Sequence, residues 1–152
     1  MITVKRKGNL LLEKVEALVN TVNCVGVMGR GIALQFKFAY PDNYRLYRTA
    51  CTNRGVVPGE MFVYSTKKTL PRYIINFPTK RHWMDNSLIE DIKSGLLSLI
   101  SVINLNNIKS IAIPPLGCGL GGLDWRIIKP LIESSLSGIK GLDAYIYEPY
   151  IM

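Results

Sequence analysis

The chain has 152 residues, of which 48% are hydrophobic and 20% charged, with a formal net charge of +8 at pH 7. That length and apolar content suit one domain with a real core over residues 1–152, exclude an intrinsically disordered chain, and leave no apolar run long enough to cross a bilayer. Three widely spaced cysteines, Cys24, Cys51 and Cys118, fit neither a disulfide framework nor a zinc spacing, and the stretch Met1 to Arg6 holds no signal-peptide core, so a cytoplasmic location is expected.

In chain order, Ile2 to Lys5 reads as a short strand and Ala17 to Asn20 as a buried strand running into a loop. From Gly31, the residues Ile32, Leu34, Phe36, Phe38 and Ala39 predict a helix that stops at Pro41. Pro41-Asp-Asn then starts a second helix carrying Tyr44, Leu46, Tyr47 and Ala50. Gly55 and Pro58-Gly59 mark turns. Met61 to Tyr64 and Tyr73 to Phe77 read as adjacent strands. Asn86-Ser87 reads as the cap of a helix with Glu90 and Asp91 in its first turn, where negative charge suits the helix dipole, and an apolar stripe of Ile92, Leu96, Leu99, Ile100 and Ile103. Ser110 to Ile113 is a strand, Asp124 to Leu136 a helix, and Ala144 to Tyr147 a final strand. Strands alternating with helices imply α/β architecture, with helices on both faces of a largely parallel sheet. Such sheets bind ligands beyond the carboxyl ends of their strands.

Two glycine loops follow predicted strands: Val25-Gly-Val-Met-Gly-Arg-Gly-Ile32, and Pro115-Leu-Gly-Cys-Gly-Leu-Gly-Gly-Leu123. Glycines at a strand exit let backbone N–H groups approach an anion, most often a phosphate. Two such loops in one small domain suggest a ligand with two phosphates held between them, in a cleft that Phe77-Pro-Thr-Lys80 also enters. Asn23 reads either as a hydrogen-bonding partner of sugar hydroxyls or as a turn residue. Cys118 has no adjacent base, so a small side chain permitting close approach is preferred to a nucleophile. Lys80 reads as a surface charge, a cation in the cleft or an amine nucleophile. Trp83 can stack on an unpaired base or anchor its loop, and His82, without a visible partner, reads as structural before catalytic. Asp124 reads as a helix N-cap, and Glu60 and Glu148 form no carboxylate pair. No cluster of metal ligands is visible. The cations are scattered, with local clusters at Lys5-Arg6-Lys7, Lys67-Lys68 and Lys80-Arg81-His82; nucleic acid, anionic membrane and acidic ligands all fit that charge.

Over essentially its whole length the chain resembles a macrodomain, through Gly8-Asn9-Leu10, Val19-Asn-Thr-Val-Asn23, Gly29-Arg-Gly-Ile-Ala33 and Pro115-Leu-Gly-Cys-Gly-Leu-Gly-Gly-Leu123. The resemblance implies a three-layer α/β/α fold with a mixed, largely parallel sheet. Within the family it is similar to the branch of the terminal ADP-ribose protein glycohydrolase and the DarG antitoxins, and the segments Tyr73 to Trp83 and Leu116 to Trp125 point to the DarG type. The resemblance implies ADP-ribose as ligand, with the distal ribose near Asn23 and Lys80. The pyrophosphate would lie between Gly29, Arg30, Gly31, Ile32 and the Gly117, Cys118, Gly119, Leu120 segment, and Thr79, Pro115 and Leu116 would also belong to the ADP-ribose site. It puts the adenine near Asn9 and Leu10 with Tyr147 as neighbour and Gly8 also in the ADP-ribose site, and many macrodomains carry Asp where Asn9 stands. The protein-directed glycohydrolase of this branch pairs its lysine with an aspartate at the position that aligns with Gly121.

The function so implied is removal of ADP-ribose from thymidine bases of single-stranded DNA, reversing a DarT-like toxin. Lys80 and Asn23 would be catalytic, and Trp83 and His82 would contact the base. No cofactor, metal or membrane is expected, and a monomer is. The alternatives are hydrolysis of protein-linked ADP-ribose esters or O-acetyl-ADP-ribose, and a non-catalytic ADP-ribose reader. DarG antitoxins carry a further toxin-binding domain, so the chain fits either a piece of such a protein or a stand-alone enzyme.

Overall fold

The computed structural model describes residues 1–149; residues 150–152, the end of the expected single domain, lie outside it. Six strands form one sheet in the order β1-β6-β5-β2-β4-β3. They are β1 (Ile2–Lys5), β2 (Ala17–Val22), β3 (Phe62–Ser65), β4 (Tyr73–Pro78), β5 (Ser110–Ile113) and β6 (Asp143–Tyr147). All neighbours run parallel except β3 against β4, so the sheet is mixed and largely parallel. The helices are α1 (Gly31–Ala39), α2 (Pro41–Thr52), α3 (Ile89–Leu105) and α4 (Trp125–Ser137).

Side chains alternate across the buried strands, as a pleated sheet covered on both faces requires. Ala17 and Val19 of β2, Ile75 and Phe77 of β4, and Ile111 and Ile113 of β5 pack with Ile92, Leu96 and Leu99 of α3 and Ile128 and Ile132 of α4. Their neighbours Leu18, Ile74 and Ala112 face the other way and pack with Phe36 of α1. Gly95 lets α3 lie directly on the Phe77 ring, because a Cβ at this position would overlap the ring carbons. Asn20 and Asn76, partners in the β2–β4 register, are fully buried beneath α2. Asn20 Nδ2 donates to Asn76 Oδ1 at 3.2 Å, and Asn76 Nδ2 donates to Asn43 Oδ1 of α2 at 2.8 Å. Asn20 Oδ1 itself has no partner among the described residues, and the remaining bonds tie α2 to the sheet at Asn43.

Three local expectations are corrected. The third helix does not start on Asn86-Ser87; its cap position is Leu88, because Ser87 turns its N–H to the Gly121 carbonyl of a neighbouring loop at 2.9 Å. β2 continues to Val22 instead of ending at Asn20, since Thr21 and Val22 pair in register with Phe77 and Pro78 of β4. A short 3-10 turn, Leu10–Leu12, capped by the Asn9 side chain, stands where no element was read.

The order of strands creates the crevice. From β2 the chain leaves toward β3 and β4 on one side, and from β5 it leaves toward β6 on the other. β2 and β5 pair only at Ala17–Ile111 and Leu18–Ala112, so their carboxyl ends part. A switch of this kind between neighbouring parallel strands is where an α/β sheet opens to a ligand.

Candidate active site

A cavity of about 730 Å³ opens above the parted ends of β2 and β5. Three loops supply its walls: Asn23, Val27 and Gly29 to Ala33 after β2; Thr79, Lys80 and Trp83 to Asn86 after β4; and Pro114, Pro115, Gly117 and Gly119 to Gly121 after β5. The sequence reading that both glycine loops and the Lys80 segment meet in one cleft is therefore the arrangement found.

Two rows of N–H groups line the cavity. α1 begins at Gly31 with Arg30 as its N-cap and no side chain capping it, so the first-turn N–H groups of Gly31, Ile32 and Ala33 stay open beside the cavity. Open donors and the positive end of the helix dipole make an anion site. In the loop after β5, Cys118 N–H donates to Pro115 and Leu123 N–H to Gly117, which curls the loop. Among the described residues the N–H groups of Gly117, Gly119, Leu120 and Gly121 donate to no backbone carbonyl. Gly117 has φ +72°, and a Cβ there would lie 2.8 Å from Leu123 Cδ1, so the curl needs glycine.

Gly121 is needed for space. A Cβ at this residue would overlap Ser87 Oγ and lie 2.5 Å from the Gly117 carbonyl oxygen. The carboxylate that related protein-directed enzymes are expected to carry here has no room. Asp124, three residues on, cannot take its place. Its Oδ1 accepts the Arg126 N–H at 2.9 Å, and its Oδ2 accepts the Arg126 guanidinium at 2.9 Å, so it caps α4 as expected. Cys118 is a thiol donating to the Leu116 carbonyl at 3.4 Å. Burial, then the nearby Asp124 charge, pushes it up to about 11, which removes the thiolate a nucleophile needs at neutral pH.

Lys80 lines the cavity, its Nζ 3.4 Å from the Trp83 carbonyl, and among the described residues it forms no ion pair. Its backbone is held from two sides. Thr79 N–H donates to Val22 at 2.9 Å, and Cys24 N–H donates to the Arg81 carbonyl at 3.2 Å, tying the Lys80 segment to the residue after Asn23. The Arg81 guanidinium grips both oxygens of the buried Asp91 on α3, each at 3.2 Å. Asp91 read in sequence as dipole charge alone; nothing along the chain marks its pairing with Arg81.

Asn23 lies in the wall but its amide is largely committed. Oδ1 accepts from Val25 N–H at 3.1 Å and from the Tyr47 hydroxyl at 2.9 Å, and Nδ2 donates to the Val27 carbonyl at 2.8 Å. The turn reading is the arrangement found: Asn23 closes its own loop, and one Nδ2 hydrogen has no partner among the described residues. Burial, with Cys51 beside it, pushes the fully buried Tyr47 phenol up, so it remains a donor to Asn23. Tyr47 read only as a core aromatic on α2, because its target lies 24 residues away.

Other predicted residues lie outside the wall. Leu10 and Leu116 are buried in the core, and the Asn9 side chain accepts from Leu11 N–H at 3.0 Å. Tyr147 packs against Gly8 and donates to Glu13 at 2.8 Å. Trp83 lines the cavity and is half-exposed, whereas His82 does not line it. The His82 Nδ1 accepts the Met84 N–H at 3.1 Å and its ring leans on Trp83, so it shapes the turn that presents Trp83. Val27, Met84, Asp85 and Asn86 complete the wall without having been read as site residues.

Among the described residues no helix is long and apolar enough to cross a membrane. A model of the Macro domain family matches residues 19–132. A DNA ADP-ribosyl glycohydrolase of Thermus aquaticus is 51% identical over 144 residues, covering 94% of this chain and 40% of that protein. The solved macrodomain of Mycobacterium tuberculosis DarG has a TM-score of 0.96 at 51% identity, over 98% of each chain. Thermosipho africanus DarTG in complex with ADP-ribose has a TM-score of 0.88 at 32% identity, over 96% of this chain and 42% of that one. The chain spans about two fifths of the length of the curated relatives it matches.

Proposed function

The chain belongs to the macrodomain family, and from that premise we propose that it is an ADP-ribosyl glycohydrolase that releases ADP-ribose from thymidine bases of single-stranded DNA. The observation that carries this reading is the Lys80 amine, held in the wall of a cleft whose other walls offer two rows of unpaired N–H groups. The name and 51% identity of the Thermus aquaticus relative support it, as does the ADP-ribose in the Thermosipho africanus neighbour.

In this reading the α1 first turn and the Gly117 to Gly121 loop take the two phosphates, and the spare Nδ2 hydrogen of Asn23 meets a hydroxyl of the distal ribose. The adenine end falls to the Gly8 to Leu10 turn with Tyr147 beside it. The bond between the anomeric carbon and the thymine ring nitrogen breaks. Water supplies the hydroxyl left on the sugar, and its proton goes to the base. Lys80 acts at that carbon, as an amine that attacks it or as a cation that steadies the departing base. The step uses no metal or cofactor. The partner implied is a DarT-like toxin that makes the modification, and the chain works as a monomer in the cytoplasm.

The test is turnover on an ADP-ribosylated single-stranded oligonucleotide, beside ADP-ribosylated protein and O-acetyl-ADP-ribose. Lys80→Ala is expected to lower release from DNA by roughly 100-fold or more while keeping ADP-ribose affinity within a few fold. Parental release by Lys80→Ala would refute the role of Lys80. Binding of ADP-ribose with no release from any substrate would make the protein a reader, and release confined to the other two substrates would move the leaving group to them.

A further inference from the structure

Four large apolar side chains on the cavity wall stand in water, Val27 on the loop after β2 and three more on the other two loops: Trp83 is 49% exposed, Leu120 57% and Met84 69%. Single exposed apolar residues are ordinary, but a group gathered on the rim of one cleft marks a contact surface. Trp83 and Met84 adjoin in the loop after β4. Leu120 belongs to the loop after β5, and the Ser87 N–H to Gly121 carbonyl bond, 2.9 Å, fastens the two loops together. The three therefore form one rim.

Its position relative to Lys80 is fixed. The Lys80 Nζ bonds to the Trp83 carbonyl, so the bond to be broken lies where the Trp83–Met84 turn begins. In the proposed reading, a base at the anomeric carbon and the strand attached to it lie beside this rim. The turn is also held in advance, since the His82 Nδ1 accepts the Met84 N–H and its ring rests 5.4 Å, centroid to centroid, from the Trp83 ring. Among the cavity's wall residues Arg30 and Lys80 stand against a single acid, Asp85, and the chain carries +8 overall, which suits an anionic strand over an acidic protein surface.

We infer that Trp83, Met84 and Leu120 form a platform for the nucleobase next to the modified one, so that the site acts on an oligonucleotide in preference to a modified nucleoside. This rests on the function proposed above and adds that the strand itself is recognised. An unpaired base offers a flat apolar face to such a platform. In a duplex that face is covered by the neighbouring pairs, so the platform selects single strands. Stacking of one base on an aromatic ring such as Trp83 is worth about tenfold or more in binding, enough to separate the two substrates, and Met84 and Leu120 extend the apolar face beside it.

The experiment compares kcat/KM for ADP-ribosyl-thymidine with that for a single-stranded pentanucleotide carrying the same modified base at its centre. The parent, Trp83→Ala, the Met84→Ser/Leu120→Ser double variant, the triple variant combining all three changes, and Met84→Leu are each measured on both. Each protein's pentanucleotide-to-nucleoside ratio is the readout, so a general loss of activity cancels. The parent is expected to favour the pentanucleotide by about tenfold, Met84→Leu to keep most of that preference, Trp83→Ala and the double variant each to lower it, and the triple variant to bring it near unity. Met84 and Leu120 are more than half exposed and Trp83 is 49% exposed, so folding is expected to be retained, and circular dichroism of each variant checks it. A parent ratio near one, or a triple variant that keeps the parental ratio, overturns the platform while leaving the glycohydrolase intact. A parent that binds ADP-ribose but cleaves neither substrate overturns the function and the platform together.

Discussion

Gly121 illustrates how one residue fixes what the cleft can contain. Its missing side chain is filled by Ser87, whose Oγ has no hydrogen-bond partner among the described residues although Ser87 is only 4% exposed. An added methyl would press on that hydroxyl and on the Gly117 carbonyl, which the Leu123 N–H holds in place. Gly121→Ala is therefore expected to destabilise the fold by about 1–3 kcal/mol, the usual cost of overfilling a packed site. Pairing it with Ser87→Gly should recover only part of the loss, because the Gly117 carbonyl stays where it is. Urea unfolding midpoints check this, and a Gly121→Ala protein as stable as the parent would contradict it. The glycines of this loop were legible in sequence as a phosphate cradle. That Gly121 serves space and Gly117 serves backbone conformation was not, because Ser87 lies 34 positions away along the chain.

At the scale of elements, the Lys80 loop is held less by its own sequence than by α3. Asp91 lies in the first turn of α3, 6% exposed, and Arg81 grips it while being itself largely in water. The Asp91 carboxylate also holds the Arg81 guanidinium above its usual range, through the hydrogen bond first and the charge second. Removing the charge frees the residue next to Lys80. Asp91→Asn is expected to slow single-turnover release by roughly tenfold or more, since small misplacements of a reacting group are costly, with ADP-ribose affinity nearly unchanged and Asp91→Glu partly restoring the rate. Parental turnover in Asp91→Asn would show that α3 does not position the lysine. The periodic apolar residues of α1 to α4 and the buried strands were readable because a helix and a pleated strand each repeat on a fixed period. Boundaries set by distant partners were missed, at Val22 and at Leu88.

The molecule as a whole carries +8 spread over many clusters, so its field favours a polyanion without naming one. For a single strand contacting two or three cations, raising salt from 50 to 200 mM should lower kcat/KM on the pentanucleotide by about tenfold, because bound counterions are released on association. ADP-ribosyl-thymidine, lacking the flanking phosphates, should respond much less. Equal salt dependence for the two substrates would place the charge outside the reaction.

The sequence by itself determined the alternation of strands and helices, the glycine loops that follow β2 and β5, and Lys80 at the end of β4, because each depends on residues near in the chain. Only the tertiary structure decided the strand order that parts β2 from β5, the commitment of the Asn23 amide to Tyr47, the filling of Gly121 by Ser87, and the rim of Trp83, Met84 and Leu120. Each of these joins residues far apart in sequence, and their contacts exist only once the buried sheet has drawn the loops to one edge.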